Sequence, residues 1–325
     1  MRRAPRPGIL ALSDAMGMSL ESLSRSRPVV FQLVPRLNVA GRLKNPKYAL
    51  HLLLAQEKSQ EVTKIAQYLH QLNAYRQDLQ KIAYQEALQY LERKHLGISS
   101  NKAGAPPALV SVVSKVKYGK GIIGLVAANL TEHFYRPAVV FTEVGGELIG
   151  SARSPAEVPL YEVLSRCCAQ YIQRFGGHER AAGLTILPKD LDSFREAFER
   201  GCAAYGQISP TGVVDASISV EDLRKFNLAE WVEKFEPIGP QNEAPRFLIR
   251  DLYFLEENNG KFLFGTRDAL YQATVEQGQL ASFRNFFREY IRKPVSLIVT
   301  PRLSERRNTY LRLRDAILSN PNPQD

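Results

Sequence analysis

Cysteine is scarce: there are three in 325 residues, two adjacent at Cys167 and Cys168 and the third at Cys202. They supply neither a disulfide framework nor a CxxC zinc pattern, and all three read as reduced, structural thiols. No run of about 18 uninterrupted apolar residues is present, and the first thirty residues lack the basic, apolar and small-residue order of a secretory signal. The expected location is therefore cytoplasmic, with no membrane association. Gly and Pro, at 21 and 19, are too few for a collagen-like or low-complexity chain, and 44% apolar with 23% charged content excludes disorder by composition. The sequence holds no GxSxG, HExxH or GxxxxGKS/T. Metal ligands are also sparse at the start: before Asp78 the only Asp is Asp14, and the only His are His51 and His70. A hydrolytic metal centre needs several such ligands converging, so none can be assembled from residues 1–56.

Positive charge is in excess, with 43 Lys and Arg against 33 Asp and Glu, a net charge of +10 and a pI near 9.5. The excess sits mainly at the two ends. Residues 1–56 carry nine bases and two acids, residues 246–325 thirteen and nine, and residues 207–245 three and seven. Such a balance favours a polyanion partner through counterion release. The length leaves room for two or three domains with ample core.

Residues 57–94 contain no Gly or Pro, and apolar side chains recur at Val62, Ile65, Leu69, Leu72, Leu79, Ile82, Leu88 and Leu91. That spacing predicts one amphipathic helix of about 55 Å, long enough to bridge two bodies rather than sit inside one. The Gly, Ser and Pro punctuation of GISSNKAGAPP (97–107) marks a domain boundary. From Ala108 the chain alternates: strand ALVSVVSKV, helix over 121–134, strands AVVFT and LIGSAR, helix over 159–174, strand AAGLTIL, helix over 190–205. Alternation of this kind predicts a small α/β sheet.

An acidic connector follows Gly206, with the only Trp, Trp231, and the turn-rich run PIGPQNEAPRF. Residues 246–318 then give five short alternating segments: FLIRDLYFL, KFLFGT, ALYQATV, VSLIVTPRL and TYLRLRDAIL. They predict a small antiparallel barrel that the helical segment SFRNFFREYI plugs or caps. The expected fold class is α/β plus β, with a long connecting helix, a small α/β domain and a barrel. The last seven residues are expected to fray.

Four motifs could carry chemistry. Gly119-Lys-Gly121-Ile-Ile-Gly124 is a GxGxxG between a strand and a helix, with Glu143 nineteen residues after its last glycine. It approaches a dinucleotide-binding fingerprint, but the second mononucleotide-binding half is missing. Pro35-Arg-Leu-Asn-Val-Ala-Gly-Arg42 puts Arg36, Asn38 and Arg42 around a glycine turn, a pattern suited to anions because guanidinium groups grip phosphates bidentately. In Gly150-Ser-Ala-Arg-Ser154, Ser151 and Arg153 point to one side of a strand, and a phosphate fits between them. In Phe175-Gly-Gly-His178-Glu-Arg-Ala-Ala-Gly183, paired glycines allow a close ligand approach and set His178 at a helix-to-strand corner, where it can donate to a phosphate or assist proton transfer.

In series, PRLNVAGR, GSARS, FGGHERAAGLTI and PIGPQNEAPRF resemble the RecJ-type single-strand-specific exonucleases of the DHH phosphoesterase family, over nearly the whole chain. The resemblance implies that residues 1–56 are the tail of a DHH catalytic domain, 57–97 a connecting helix, 98–206 a DHHA1-like domain, 207–245 a connector and 246–325 an OB-fold-like barrel. It implies that Arg36, Asn38 and Arg42 face the substrate phosphates, and that Ser151 and Arg153 recognise a 5′-terminal phosphate. Gly176, Gly177 and His178 would line the cleft opposite the metals. Manganese or magnesium is expected for the full family architecture, but the Asp-His-His motif is not in this chain, so no metal is expected on this chain alone and no catalytic set is complete.

The expected partners are single-stranded DNA and a separately encoded DHH-domain chain, for 5′–3′ exonuclease action in DNA repair and recombination. The first residue falls inside the family's catalytic domain, which makes a separately encoded or truncated C-terminal portion the expectation. The alternatives are a non-catalytic single-strand-binding or regulatory module and, less favoured, a dinucleotide-binding protein. Phe254, Phe262, Phe264, Tyr271 and Tyr310 are candidates for base stacking or for barrel core. The chain departs from the family at Tyr118 and Gly119, where Trp-His is frequent, and at Ile238 and Gln241, where Phe and Gly are common.

Overall fold

The computed structural model describes residues 5–93, 106–113, 119–206, 208, 213–219, 222, 225, 227–239, 241–266, 270–275, 280–303 and 309–319. The chain divides into two compact units, one of Met1–Leu20 with Val30–Pro210 and one of Glu21–Val29 with Thr211–Asp325.

The first unit opens with helices α1 (Pro7–Ala15), α2 (Val34–Leu43) and α3 (Lys47–Leu54), followed by the long α4 (Gln60–Arg93). Gly8 is needed where α1 meets α3, since a Cβ there would stand 1.7 Å from the Leu52 carbonyl oxygen. The apolar residues that α4 buries are Val62, Ala66, Leu69, Leu72, Leu79, Ala83, Ala87 and Leu91, while Ile82 is exposed. Alanines share the stripe because helices pack closely on it. The three preceding helices, α5 (Gly119–Phe134) and β1 (Leu109–Val112) all lie against α4. The expected bridge between two bodies is therefore a spine within one.

A five-stranded sheet follows, built from β1, β2 (Ala138–Val144), β3 (Glu147–Arg153), β4 (Ile172–His178) and β5 (Ala181–Ile186) in the order β1-β2-β3-β5-β4. Only β1 and β2 are parallel. One face packs Phe141, Leu148, Leu184 and Ile186 on α7 (Leu191–Ala203) through Phe194 and Phe198, with α6 (Leu160–Val163) at the edge of the same core. Strand β4 was not expected. The helix assigned to 159–174 gives way after Cys168 to a single 3-10 turn at Ala169–Tyr171, and Ile172 starts the strand. Cys168 and Cys202 are buried in this core, Cys167 is exposed and all three are free. Burial, then Cys167, pushes the Cys168 thiol up to about 12, so it stays protonated at neutral pH.

In the second unit, β7 (Phe247–Asn258), β8 (Lys261–Gly265), β9 (Leu270–Thr274), β10 (Pro294–Leu303) and β11 (Thr309–Leu318) close a barrel. The pairing runs β7-β8-β9-β11-β10 and back to β7, with β9 and β11 parallel. That circuit, with helix α9 (Leu280–Glu289) between the third and fourth barrel strands, is OB-fold topology. As expected, α9 plugs the barrel: Phe283 and Phe287 are buried, and the Phe287 ring lies 5.1 to 5.3 Å from those of Phe254, Phe262 and Phe264. Phe262 and Phe264 are fully buried core, and Phe254 is partly buried against them. The side chain of Tyr310 lies outside the described residues, as do Tyr118 and most of the C-terminal segment expected to fray.

The acidic connector also belongs to this unit. It adds β6 (Ala216–Ile218) parallel to β7 and helix α8 (Leu228–Glu233). Residues 21–29 dock here too: Arg25 pairs with Glu233 at 3.0 Å, and the Ser26 amide donates to Glu236 Oε2 at 3.1 Å. Gly239 and Asn242 exchange both backbone hydrogen bonds at 3.0 Å, closing a tight turn. In that turn Gln241 has φ of 66°, where a Cβ costs about 1–2 kcal/mol. Gln241→Gly is expected to raise stability by about 0.5–1 kcal/mol once glycine's greater freedom in the unfolded chain is subtracted. An unchanged or lower melting temperature would show that the glutamine side chain makes up the difference.

Candidate phosphate site

The first two turns of α5 organise the site. Their three glycines are filled by the protein itself. A Cβ at Gly119 would meet Thr142 Oγ1 at 2.5 Å, at Gly121 the Arg42 carbonyl oxygen at 2.1 Å, and at Gly124 Ser151 Oγ at 3.0 Å and Arg153 Nη2 at 3.1 Å. The GxGxxG therefore serves close packing of α5 on β2, α2 and β3. No open glycine face remains for a pyrophosphate, which removes the structural basis of the dinucleotide reading.

The same contacts assemble two of the sequence motifs. Gly121 and Gly124 lie three residues apart on one side of α5, so the C-terminal end of α2, with Arg42, is brought beside Ser151 and Arg153 on β3. Nη1 of Arg153 donates to Ser151 Oγ at 3.1 Å and to the Ala152 carbonyl at 2.7 Å. Burial, then Arg42, holds the Arg153 guanidinium below its usual range. Asn38 is exposed one turn before Arg42, which is also exposed. Arg36 turns to α4, where its Nε donates to His70 Nδ1 at 3.1 Å and its Nη1 to the Gln32 carbonyl at 2.7 Å.

Arg76 was not singled out from the sequence. It lies on α4, its Nη2 donating to Asn73 Oδ1 at 2.8 Å and its Nη1 to Gln80 Oε1 at 2.6 Å. Burial, then Arg42 and Arg36, pushes its pKa down. Its only sequence signal was a position one turn after Asn73, a polar residue inside the helix's buried stripe.

His178 lies at the end of β4, in a hairpin rather than at a helix-to-strand corner. Gly176 pairs with Gly183 and His178 with Ala181, and on the neighbouring strand Gly183 pairs with Ser151 and Ala181 with Arg153. Paired residues share a sheet face, so Arg153, Ala181 and His178 form one lateral row, with about 10 Å between its outer strands. Helix α5 packs over β2 and β3, whereas Gly176, His178 and Gly183 are exposed. The result is a smooth floor of small residues between the arginines and the histidine. Gly177 points to the opposite face, where a Cβ would stand 2.4 Å from the Ala181 carbonyl oxygen. At the hairpin tip Tyr161, Gly177, His178, Glu179 and Arg180 line an open depression of about 610 Å³.

The bond from Arg36 requires a neutral His70. Burial, then Arg36, pushes His70 below its ordinary value of 6.5. Its contribution to stability is therefore complete above about pH 6.5, the unfolded value, and is lost as the pH falls toward the lowered folded value. The wild type is expected to lose melting temperature between pH 7 and pH 5 more steeply than His70→Gln, which keeps an acceptor without a titrating ring. Equal slopes would show that the bond is not pH-linked.

Guanidinium groups repel a divalent cation, so this donor set does not fit the metal that the family resemblance implies. Among the described residues no group of three or more His, Cys, Asp or Glu could hold a metal ion. Nor is any helix among them long and apolar enough to cross a membrane.

Residues 106–204 match the model of the DHHA1 domain. The chain is 32% identical over 256 residues to the single-stranded-DNA-specific exonuclease RecJ of Bacillus subtilis (strain 168), covering 77% of this chain and 31% of that protein. It is 33% identical over 249 residues to RecJ of Dickeya dadantii (strain 3937), covering 74% of this chain and 42% of that protein. The crystal structure of RecJ in complex with Mn2+ from Thermus thermophilus superposes with a TM-score of 0.75 and 23% identity, covering 98% of this chain and 45% of that one, a likeness of fold. The chain thus spans roughly a third to two fifths of the curated relatives' length. In sequence and in fold the chain belongs with RecJ among the DHHA1-domain proteins.

Proposed function

We propose that this chain is the phosphate-gripping and strand-gripping part of a RecJ-like, single-stranded-DNA-specific 5′–3′ exonuclease acting in DNA repair and recombination in the cytoplasm. Arg42, Ser151 and Arg153 take the 5′-terminal phosphate, Arg36 and Asn38 support the neighbouring charge, and the Gly176, Gly177 and His178 hairpin forms the wall along which the strand runs. The OB-fold-like barrel also grips the strand. The observation that carries this reading is the convergence of Arg42, Ser151 and Arg153 at the N-terminal end of α5. Like charges gathered in this way are costly unless an anion joins them.

The hydrolytic centre, with its Mn or Mg, belongs to the DHH part that makes up the rest of the relatives' length, whether on the same or another polypeptide. The division into a DHH tail, connecting helix, DHHA1-like domain, connector and barrel follows from that reading. Val30, Leu50 and Leu54 are 49 to 57% exposed on or beside the N-terminal helices, consistent with a surface that this part covers. A second reading, a strand-binding module that does not cut, draws on the same cations and on the lack of a carboxylate and imidazole cluster among the described residues.

The test is degradation of a 5′-phosphorylated single-stranded oligonucleotide with manganese, by the chain alone and together with a DHH-domain polypeptide. Cleavage only with the second polypeptide is expected. Binding without cleavage in both cases would favour the second reading, and no binding in either would end both.

A further inference from the structure

The long helix α4 carries a polar stripe within its buried side. His70, Asn73, Arg76 and Gln80 follow at three- and four-residue steps, which sets them along one side of the helix. Asn73 is only 2% exposed, and a buried amide costs free energy unless it is hydrogen-bonded. Asn73 and Gln80 both accept from the same guanidinium, so two neutral side chains fix Arg76 without neutralising it. A guanidinium has five N–H groups, and three of these have no partner among the described residues.

Among the described residues none of Arg36, Arg42, Arg76 and Arg153 has a carboxylate within 4.0 Å. A terminal phosphomonoester brings a charge of about −2, which leaves this group of four cations in excess. Their anchors are also spread. Arg36 is tied at His70, six residues before Arg76, or about 9 Å along the helix axis. Anchors at different levels of α4 suit more than one phosphate along a strand.

We propose that Arg76 is a second phosphate contact, taking the internucleotide phosphodiester next to the terminal phosphate, with Asn73 and Gln80 as positioning residues. This rests on the reading that Ser151 and Arg153 hold the terminal phosphate of a DNA strand. The site then reads two consecutive backbone charges rather than one end group.

The experiment is binding of 5′-phosphorylated single-stranded oligonucleotides to the full chain, followed by fluorescence anisotropy. One oligonucleotide is fully charged and the other carries a neutral methylphosphonate at the first linkage. The wild type is expected to bind the second about tenfold more weakly, the effect of one charge-assisted contact. Arg76→Gln is expected to bind the two alike, with a salt dependence shallower by about 0.7 in the log–log slope. Arg76→Lys, which keeps the charge without the fork, should fall between them, and it decides the matter if circular dichroism shows that Arg76→Gln does not fold.

Arg153→Gln, compared on phosphorylated and unphosphorylated 5′ ends, separates the two levels of inference. If Arg153→Gln loses its preference for a 5′ phosphate while the Arg76 variants keep wild-type discrimination at the first linkage, the assignment of Arg76 is overturned and the broader reading stands. If Arg153→Gln also keeps its preference, the broader reading fails and the assignment of Arg76 fails with it.

Discussion

Arg153→Gln is expected to weaken binding of a 5′-phosphorylated single strand about thirtyfold, or about 2 kcal/mol, while leaving the protein at least as stable as before. The affinity loss follows from removing a charge-assisted, forked contact to a phosphate, which contributes about 1.5–3 kcal/mol. The stability follows from the opposite side of the same electrostatics. Burial and Arg42 both disfavour the charged guanidinium in the absence of ligand, so a shorter, neutral side chain relieves repulsion, at the loss of hydrogen bonds to Ser151 and Ala152. A structural arginine would behave in reverse, with a lower melting temperature and unchanged affinity. The measurement is a pair of titrations, against 5′-phosphorylated and 5′-hydroxyl oligonucleotides, alongside thermal melting. Wild-type discrimination between the two ends in the variant would remove Arg153 from the site.

The barrel and the α/β sheet were legible because both rest on local periodicity. Phe262 and Phe264 alternate with Lys261 and Leu263 along β8, and period-2 patterning of this kind needs no knowledge of the partner strand. What periodicity could not decide was which side of each strand meets the core, so base-stacking and core roles were equally available to these rings until their burial was seen. Strand β4 was illegible for a different reason. Its glycine pair reads as a break, and the pairing of Gly176 with Gly183 and of Ser151 with Gly183 is set by neighbours that come from other parts of the chain.

Arg76 was hidden most completely. A lone arginine in a long polar and apolar helix looks like a solvated charge, and its proximity to Arg42 and Arg36 exists only after α2 has folded back on α4. The motif at Arg36 and Arg42 was visible, but the opposed directions of its two arginines were not. One is held by His70 and the other stands beside β3, because six residues on a helix amount to well over one full turn.

The glycines of α5 were visible too, and their meaning was what the sequence left open. Gly121→Ala distinguishes the possibilities with the largest expected effect on stability. In an ordinary helix interior this change would gain about 1 kcal/mol. Here the new methyl would stand 2.1 Å from the Arg42 carbonyl oxygen and 3.0 Å from its carbon. Both are backbone atoms, and α2 is itself held against α4. Neither helix can yield without losing packing, so a net destabilisation of about 2 kcal/mol is expected, with weaker oligonucleotide binding as Arg42 is displaced. Gly124→Ala meets only the side-chain atoms Ser151 Oγ and Arg153 Nη2, at 3.0 and 3.1 Å. Those can shift, so this variant is expected to keep its stability within about 0.5 kcal/mol of the wild type and to lose affinity for the 5′ phosphate. A dinucleotide site would give a different pair of results, with both variants folding normally and both losing cofactor binding. If Gly121→Ala melts as the wild type does, the close approach of α2 to α5 is not what the glycine provides, and the convergence of Arg42 with Arg153 would need another cause.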